Sequence, residues 1–150
     1  MLALCFSLLV FLTPPPPPQA LIKATLDDFH DAASKADGPR YFGHFTDDGV
    51  FVGTDPGERW TVAEFKAYAE PHFSRGKGWT YVPFERHIDL GPQRKTAWFY
   101  ERLRNPRFGE ARGSGVLVLE AGRWRIAQYV LSFPIPNART EAVMEILKAP

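Results

Sequence analysis

Between Trp79 and Phe133 the chain alternates apolar and polar residues in four successive stretches, joined by turns short enough to force antiparallel neighbours. The stretches are Trp79–Leu90, Thr96–Arg104, Arg112–Glu120 and Arg123–Phe133. Gly91-Pro92-Gln93, Asn105-Pro106 with Gly109, and Ala121-Gly122 supply the turns. A meander of this kind has two faces, and a stable domain must cover one of them. Gly113 and Gly115 inside the third stretch mark a bulge or a close approach, which helps a sheet curl.

The cover is encoded upstream. Ile22, Leu26, Phe29 and Ala33 recur at helical spacing, with Lys23, Asp27, Asp28 and Asp31 opposite, and the pattern ends near Asp37-Gly38. Pro39 opens a second, short helix carrying Tyr41, Phe42 and Phe45. Thr46–Gly49 reads as a turn and Val50–Val52 as a short buried strand. A polar loop over 53–59 ends on Trp60, and Thr61 and Glu64 have capping-box spacing for a helix from Val62 to about His72. Pro71 is expected to end or kink that helix near Ala69. Asn137 is a good N-cap for a closing helix carrying Val143, Ile146 and Leu147. Helices first and strands afterwards make an α+β domain whose sheet wraps around a cavity.

At 150 residues the chain forms one domain without help from disulfides or metals. Cys5 is its single cysteine, which excludes a thiol nucleophile, a cysteine zinc site and a disulfide framework from the folded part. His30, His44, His72 and His87 show no metal-ligand spacing, so neither metal nor cofactor is expected. A net charge of +1 gives no reason to expect nucleic acid or an anionic membrane as partner. Aromatics at 14%, with 12 Phe and 4 Trp, imply a thick core or an aromatic-lined cavity. Met1–Leu12 is apolar, too short for stable membrane insertion and of signal-peptide length; Pro14–Pro18 form a stiff spacer. Residues 1–20 are therefore read as a signal peptide, giving a periplasmic or secreted protein, or as a disordered Pro-rich leader of a cytoplasmic one. Residues 21–148 form the domain.

No complete catalytic constellation is visible. His87 is the leading general-base candidate, since imidazole titrates near neutrality, and it shares a strand face with Trp79 and Tyr81. Glu101 alternates with Ala97 and Phe99 and so points to the core, where a carboxylate needs a partner; Arg112 on the next strand is the candidate. Tyr100 points to the other face. Trp60, beside the polar loop, and Tyr81, Tyr100, Arg112 and Gln128 are candidate ligand contacts. Gln128 serves only if its face of the last strand is concave. Trp98, Trp124 and Tyr129 are read as core.

The segments GTDPGERWT-x2-EF, TAWFYERL and RGSGVLVLEAGRWRIAQYVLSFPIPN, with the closing helix, are similar to the SnoaL-like branch of the nuclear transport factor 2-like superfamily from Ala20 to Lys148. The resemblance implies a conical α+β barrel: a strongly curved antiparallel sheet, N-terminal helices in its concavity, and a pocket at the open end. Members include polyketide cyclases, ketosteroid isomerases and dehydratases, and homodimers form through the outer sheet face. Neither the Tyr–Asp oxyanion pair of the isomerases nor the His–Asp pair of the dehydratases maps onto matching motifs here, so the resemblance assigns no catalytic residue. Two expectations follow. One is a small-molecule pocket performing metal-free acid–base chemistry, of isomerase, cyclase or dehydratase type, on an apolar carbonyl-containing ligand through His87 or Glu101. The other is a non-catalytic, exported ligand-binding or dimerising domain whose cone is filled by its own aromatics.

Overall fold

The computed structural model describes residues 14–148. Met1–Leu12, Cys5 and the signal-peptide reading therefore lie outside the described residues. Helix α1 (Pro18–Ser34) starts directly on the last of the prolines, which occupies its first turn, where a missing N–H costs nothing. Ile22, Leu26, Phe29, Ala32 and Ala33 bury one side of α1, and His30 is buried among them. Helix α2 (Gly38–Phe42) follows, capped by the Asp37 carboxylate, which accepts from the Arg40 N–H at 3.2 Å.

Phe45 does not belong to α2. It opens strand β1 (Phe45–Val52), which includes the expected turn at Thr46–Gly49 as a register irregularity. Strand β2 (Arg59–Thr61) pairs antiparallel with β1, Trp60 opposite Phe51. Helix α3 (Val62–Phe73) has the full capping box: Thr61 Oγ1 accepts from Glu64 N–H at 3.3 Å and Glu64 Oε2 from Thr61 N–H at 2.8 Å. Pro71 does not stop α3 early. It falls in the final turn, and the Ser74 N–H still reaches the Glu70 carbonyl at 3.0 Å.

Strands β3 (Val82–Leu90), β4 (Thr96–Asn105), β5 (Gly109–Glu120) and β6 (Arg123–Ser132) form the meander, and β1 joins β6 in parallel. The sheet thus has six strands in the order β2-β1-β6-β5-β4-β3, two more than the meander alone. Trp79–Tyr81 precedes β3 as irregular chain. Bulges lie between Pro83 and Glu85 on β3 and opposite Val116–Leu117 on β6, where Ala127 is the extra residue. Bulges bend and twist strands, and this sheet curves over α1, α2 and α3. Trp124 and Tyr129 are buried in the shared core, but Trp98 is exposed over half its surface on the outer face. A short 3₁₀ turn (Asn137–Arg139) leads into helix α4 (Thr140–Lys148), which buries none of its side chains. Among the described residues no helix is long and apolar enough to cross a membrane.

Candidate functional site

Two of the expected contacts meet at the open end of the sheet. Trp60 and Tyr81 line a cavity of about 170 Å³ whose wall also includes Phe51, Phe65, Tyr68 and Trp79. Its rings lie nearly parallel: Phe51 and Phe65 stack at 4.0 Å between centroids, Trp60 and Tyr68 at 4.8 Å, Trp60 and Phe65 at 5.4 Å. Such offset stacks are favourable in themselves and leave a flat-sided slot. Phe51, Trp79, Tyr81 and Leu131 also border a second, inner cavity of about 20 Å³, whose lining adds His30 and Tyr129. These four shared residues make the two cavities neighbours, a wide aromatic mouth and a small inner pocket that together outline a funnel.

Beneath the funnel lies a buried polar cluster. Glu101 has no exposed surface. Its Oε1 lies 2.7 Å from His30 Nε2 and accepts from the Tyr129 hydroxyl at 2.9 Å. Its Oε2 accepts from Arg86 Nε at 2.7 Å. Arg86 Nη2 also stands 2.7 Å from Oε2, in ion-pair contact but out of line for a hydrogen bond. Arg86 Nη1 donates onward to Asp27 at 2.7 Å, so the cluster runs from the core to the surface of α1. Burial pushes the Glu101 carboxyl up, but the hydrogen bond from His30, with the hydrogen bond and charge of the Arg86 guanidinium, outweighs it and holds it below its ordinary value. Burial, then the Glu101 charge, pushes the Tyr129 phenol well above its ordinary value.

An ionised carboxylate only accepts hydrogen bonds. The 2.7 Å contact therefore places a proton on His30 Nε2. His30 Nδ1 has no hydrogen-bond partner among the described residues, and the side chain borders both the inner cavity and a surface groove lined by Asp27, Asp31 and Ser34. The carboxylate thus orients the imidazole through one ring nitrogen and leaves the other unpaired among the described residues.

Glu101 is core-directed as its strand pattern required, but its partner is not Arg112. Gly113 stands opposite Glu101, and Arg112 stands opposite Arg102 on the outer face, its guanidinium 5.6 Å above the Tyr100 ring. A Cβ at Gly113 would collide with the Tyr129 hydroxyl and lie 2.8 Å from Glu101 Oε1, so the cluster needs glycine there. His87 is also outside the funnel. Arg86 keeps step with Ile88 and Leu90 and turns inward opposite Glu101, while His87 turns out opposite Tyr100; the bulge at Phe84 breaks the alternation that would have put His87 on one face with Tyr81. His87 is 64% exposed and bonds Glu85 at 3.1 Å. Tyr100 faces outward beside it, at 6.0 Å between centroids. Gln128 is exposed because the bulge at Ala127 hands the inward position to Tyr129.

His30, Arg86 and the hydroxyl role of Tyr129 were not singled out by sequence reasoning. A signal existed for the first two. His30 lies four residues after Leu26 on the apolar stripe of α1, and Arg86 interrupts the alternating run Val82, Phe84, Ile88, Leu90.

A curved sheet over N-terminal helices, with a funnel at the open end, is the nuclear transport factor 2-like architecture. A model of the SnoaL-like domain matches residues 22–136, and the chain belongs to that family. No curated protein matches it. Among solved structures, a nuclear transport factor 2-like protein of unknown function from Pseudomonas putida KT2440 is similar, with 14% identity, 79% of this chain and 87% of that one covered, and a TM-score of 0.66. A domain of unknown function with a cystatin-like fold from Nostoc punctiforme PCC 73102 has 15% identity, coverage of 89% and 87%, and a TM-score of 0.68. A candidate scytalone dehydratase from Novosphingobium aromaticivorans DSM 12444 has 13% identity, coverage of 78% and 84%, and a TM-score of 0.63. At these identities the likeness establishes the fold.

Proposed function

We propose that this protein binds a small, flat, mainly apolar molecule in the aromatic funnel and that His30, oriented by Glu101, moves a proton on it. The observation that supports this reading is the 2.7 Å His30–Glu101 hydrogen bond beside the inner cavity, with Nδ1 left without a partner among the described residues. The chemistry is acid–base and of isomerase or dehydratase type: Nδ1 takes a proton from carbon next to a carbonyl and returns it elsewhere on the molecule. Tyr129 is not the oxygen-polarising group, because its proton is committed to Glu101. Tyr81 lines both cavities and is the hydroxyl-bearing residue common to them. The outer cavity, about 170 Å³, is below the ~300–1,000 Å³ of sites for drug-sized ligands. This space suits a single-ring ligand.

The competing, non-catalytic reading draws on the same cluster: both oxygens of Glu101 are already bonded, and the inner cavity measures about 20 Å³. One experiment separates the two. Single-ring ketones that stabilise the protein in a thermal-shift screen are incubated with it in D₂O, and exchange next to the carbonyl is followed by NMR. Wild type and His87→Ala are expected to exchange, and His30→Ala to bind without exchanging. Binding without exchange in wild type supports the non-catalytic domain.

The homodimer through the outer sheet face also stands as a proposal. Half-exposed Trp98 and exposed Val82 on that face are its support. Light scattering on wild type and Trp98→Glu tests it, a monomeric wild type being the contrary result.

A further inference from the structure

The mouth of the funnel carries a charge as well as a shape. Trp60, Phe65, Tyr68, Trp79 and Tyr81 wall it, and Glu58 is the one carboxylate among its lining residues; no Lys, Arg or His is among them. The Glu58 carboxylate makes no ion pair among the described residues, and its hydrogen bond is from the Asp55 N–H at 3.2 Å. Its position is built by the loop. The Gly53 N–H donates to the Glu58 carbonyl at 2.8 Å, and any Cβ at Gly53 would run into the Glu58 side chain. The neighbouring cation is kept out: strand alternation on β2 turns Trp60 toward the core, opposite Phe51, and leaves Arg59 exposed. The N–H groups at the start of α3 offer no anion site there, since Thr61 and Glu64 already engage them.

We propose that this mouth recognises a small organic cation: a quaternary or protonated amine carried on a flat apolar body. Electron-rich ring faces attract cations and not anions, and rings around a carboxylate that lacks a counter-ion are the chemistry that binds alkylammonium groups. A carboxylate or phosphate ligand would meet Glu58 with no positive group to offset it. The inference rests on reading the funnel as a ligand site and adds the class of ligand; it does not depend on proton transfer at His30.

The test uses three probes with matched bodies: benzyltrimethylammonium, benzyl alcohol and benzoate. Each is titrated into the full chain by calorimetry, with tryptophan fluorescence as a second readout. The cation is expected to bind about tenfold more tightly than the alcohol, from a cation–π contact together with attraction to the Glu58 carboxylate, with benzoate weakest. Glu58→Gln is expected to bring the cation within about threefold of the alcohol and leave alcohol affinity unchanged. Benzyl alcohol or benzoate binding as tightly as the cation overturns the inference, as does an undiminished cation preference in Glu58→Gln. If none of the three binds, the funnel is not a ligand site, and both readings fall. Cation preference with no proton exchange in wild type leaves this inference standing and removes only the catalytic one.

Discussion

A carboxylate without exposed surface survives only where neighbours replace water, and Glu101 has three that do: His30, Tyr129 and Arg86. Replacing it with glutamine leaves the Arg86 charge without its inner partner. Glu101→Gln is expected to cost about 3 kcal/mol in urea unfolding near neutral pH, a typical loss for a broken buried pair. The folded-state pKa of Glu101 lies below the ordinary 4.5, so its contribution is complete above that value and is lost as pH falls through the folded pKa. The gap between wild type and Glu101→Gln should therefore narrow as pH drops below about 4.5; a gap that widens contradicts the assignment. Gly113→Ala inserts a methyl against Tyr129 and Glu101 and is expected to cost about 2 kcal/mol, an overpacking penalty. Thermal melts in a Tyr129→Phe background should show a smaller loss, because the nearest of the colliding atoms, the Tyr129 hydroxyl oxygen, is gone. The inward face of Glu101 was legible from its neighbours Ala97 and Phe99, since parity along a regular strand is local. Its partners were not, because pairing register and the bulge at Phe84 are properties of two strands together.

At the scale of elements, what the sequence states outright is whatever forms within a few residues. The hairpins, the apolar stripe of α1 and the Thr61–Glu64 box are of this kind. The parallel union of β1 with β6 is not, because its partner lies at the far end of the chain. Phe45 looked helical beside Tyr41 and Phe42 for the same reason, and sheet pairing took it instead. Two expectations belong here. Thr61→Ala removes the cap of α3 and is expected to lower stability by about 1 kcal/mol in chemical denaturation. His87→Ala alters a side chain that is 64% exposed on the convex side of β3 and is expected to change stability by less than about 0.5 kcal/mol. A large loss for His87→Ala would mean that the β3 register is wrong and that Arg86 does not face inward.

For the whole molecule, the consequence of curvature is a hollow that the helices fill only in part. Aromatic side chains take up most of the cone, which is why the composition is so rich in Phe and Trp. What remains is the aromatic mouth and, beside it, the small inner cavity that His30 borders. The family explains the shape, while the residues at the floor, His30 on α1 and Glu101 on β4, decide what the shape can do. The central claim is that His30 keeps its Nε2 proton on Glu101 and offers Nδ1 to the funnel. Nitrogen-15 NMR of histidine-labelled protein reads this directly, with and without a ligand found in the thermal-shift screen. The account predicts a His30 ring protonated at Nε2, with an Nδ1 resonance that moves when ligand is added. A ring protonated only at Nδ1, or an Nδ1 signal indifferent to saturating ligand, would contradict it.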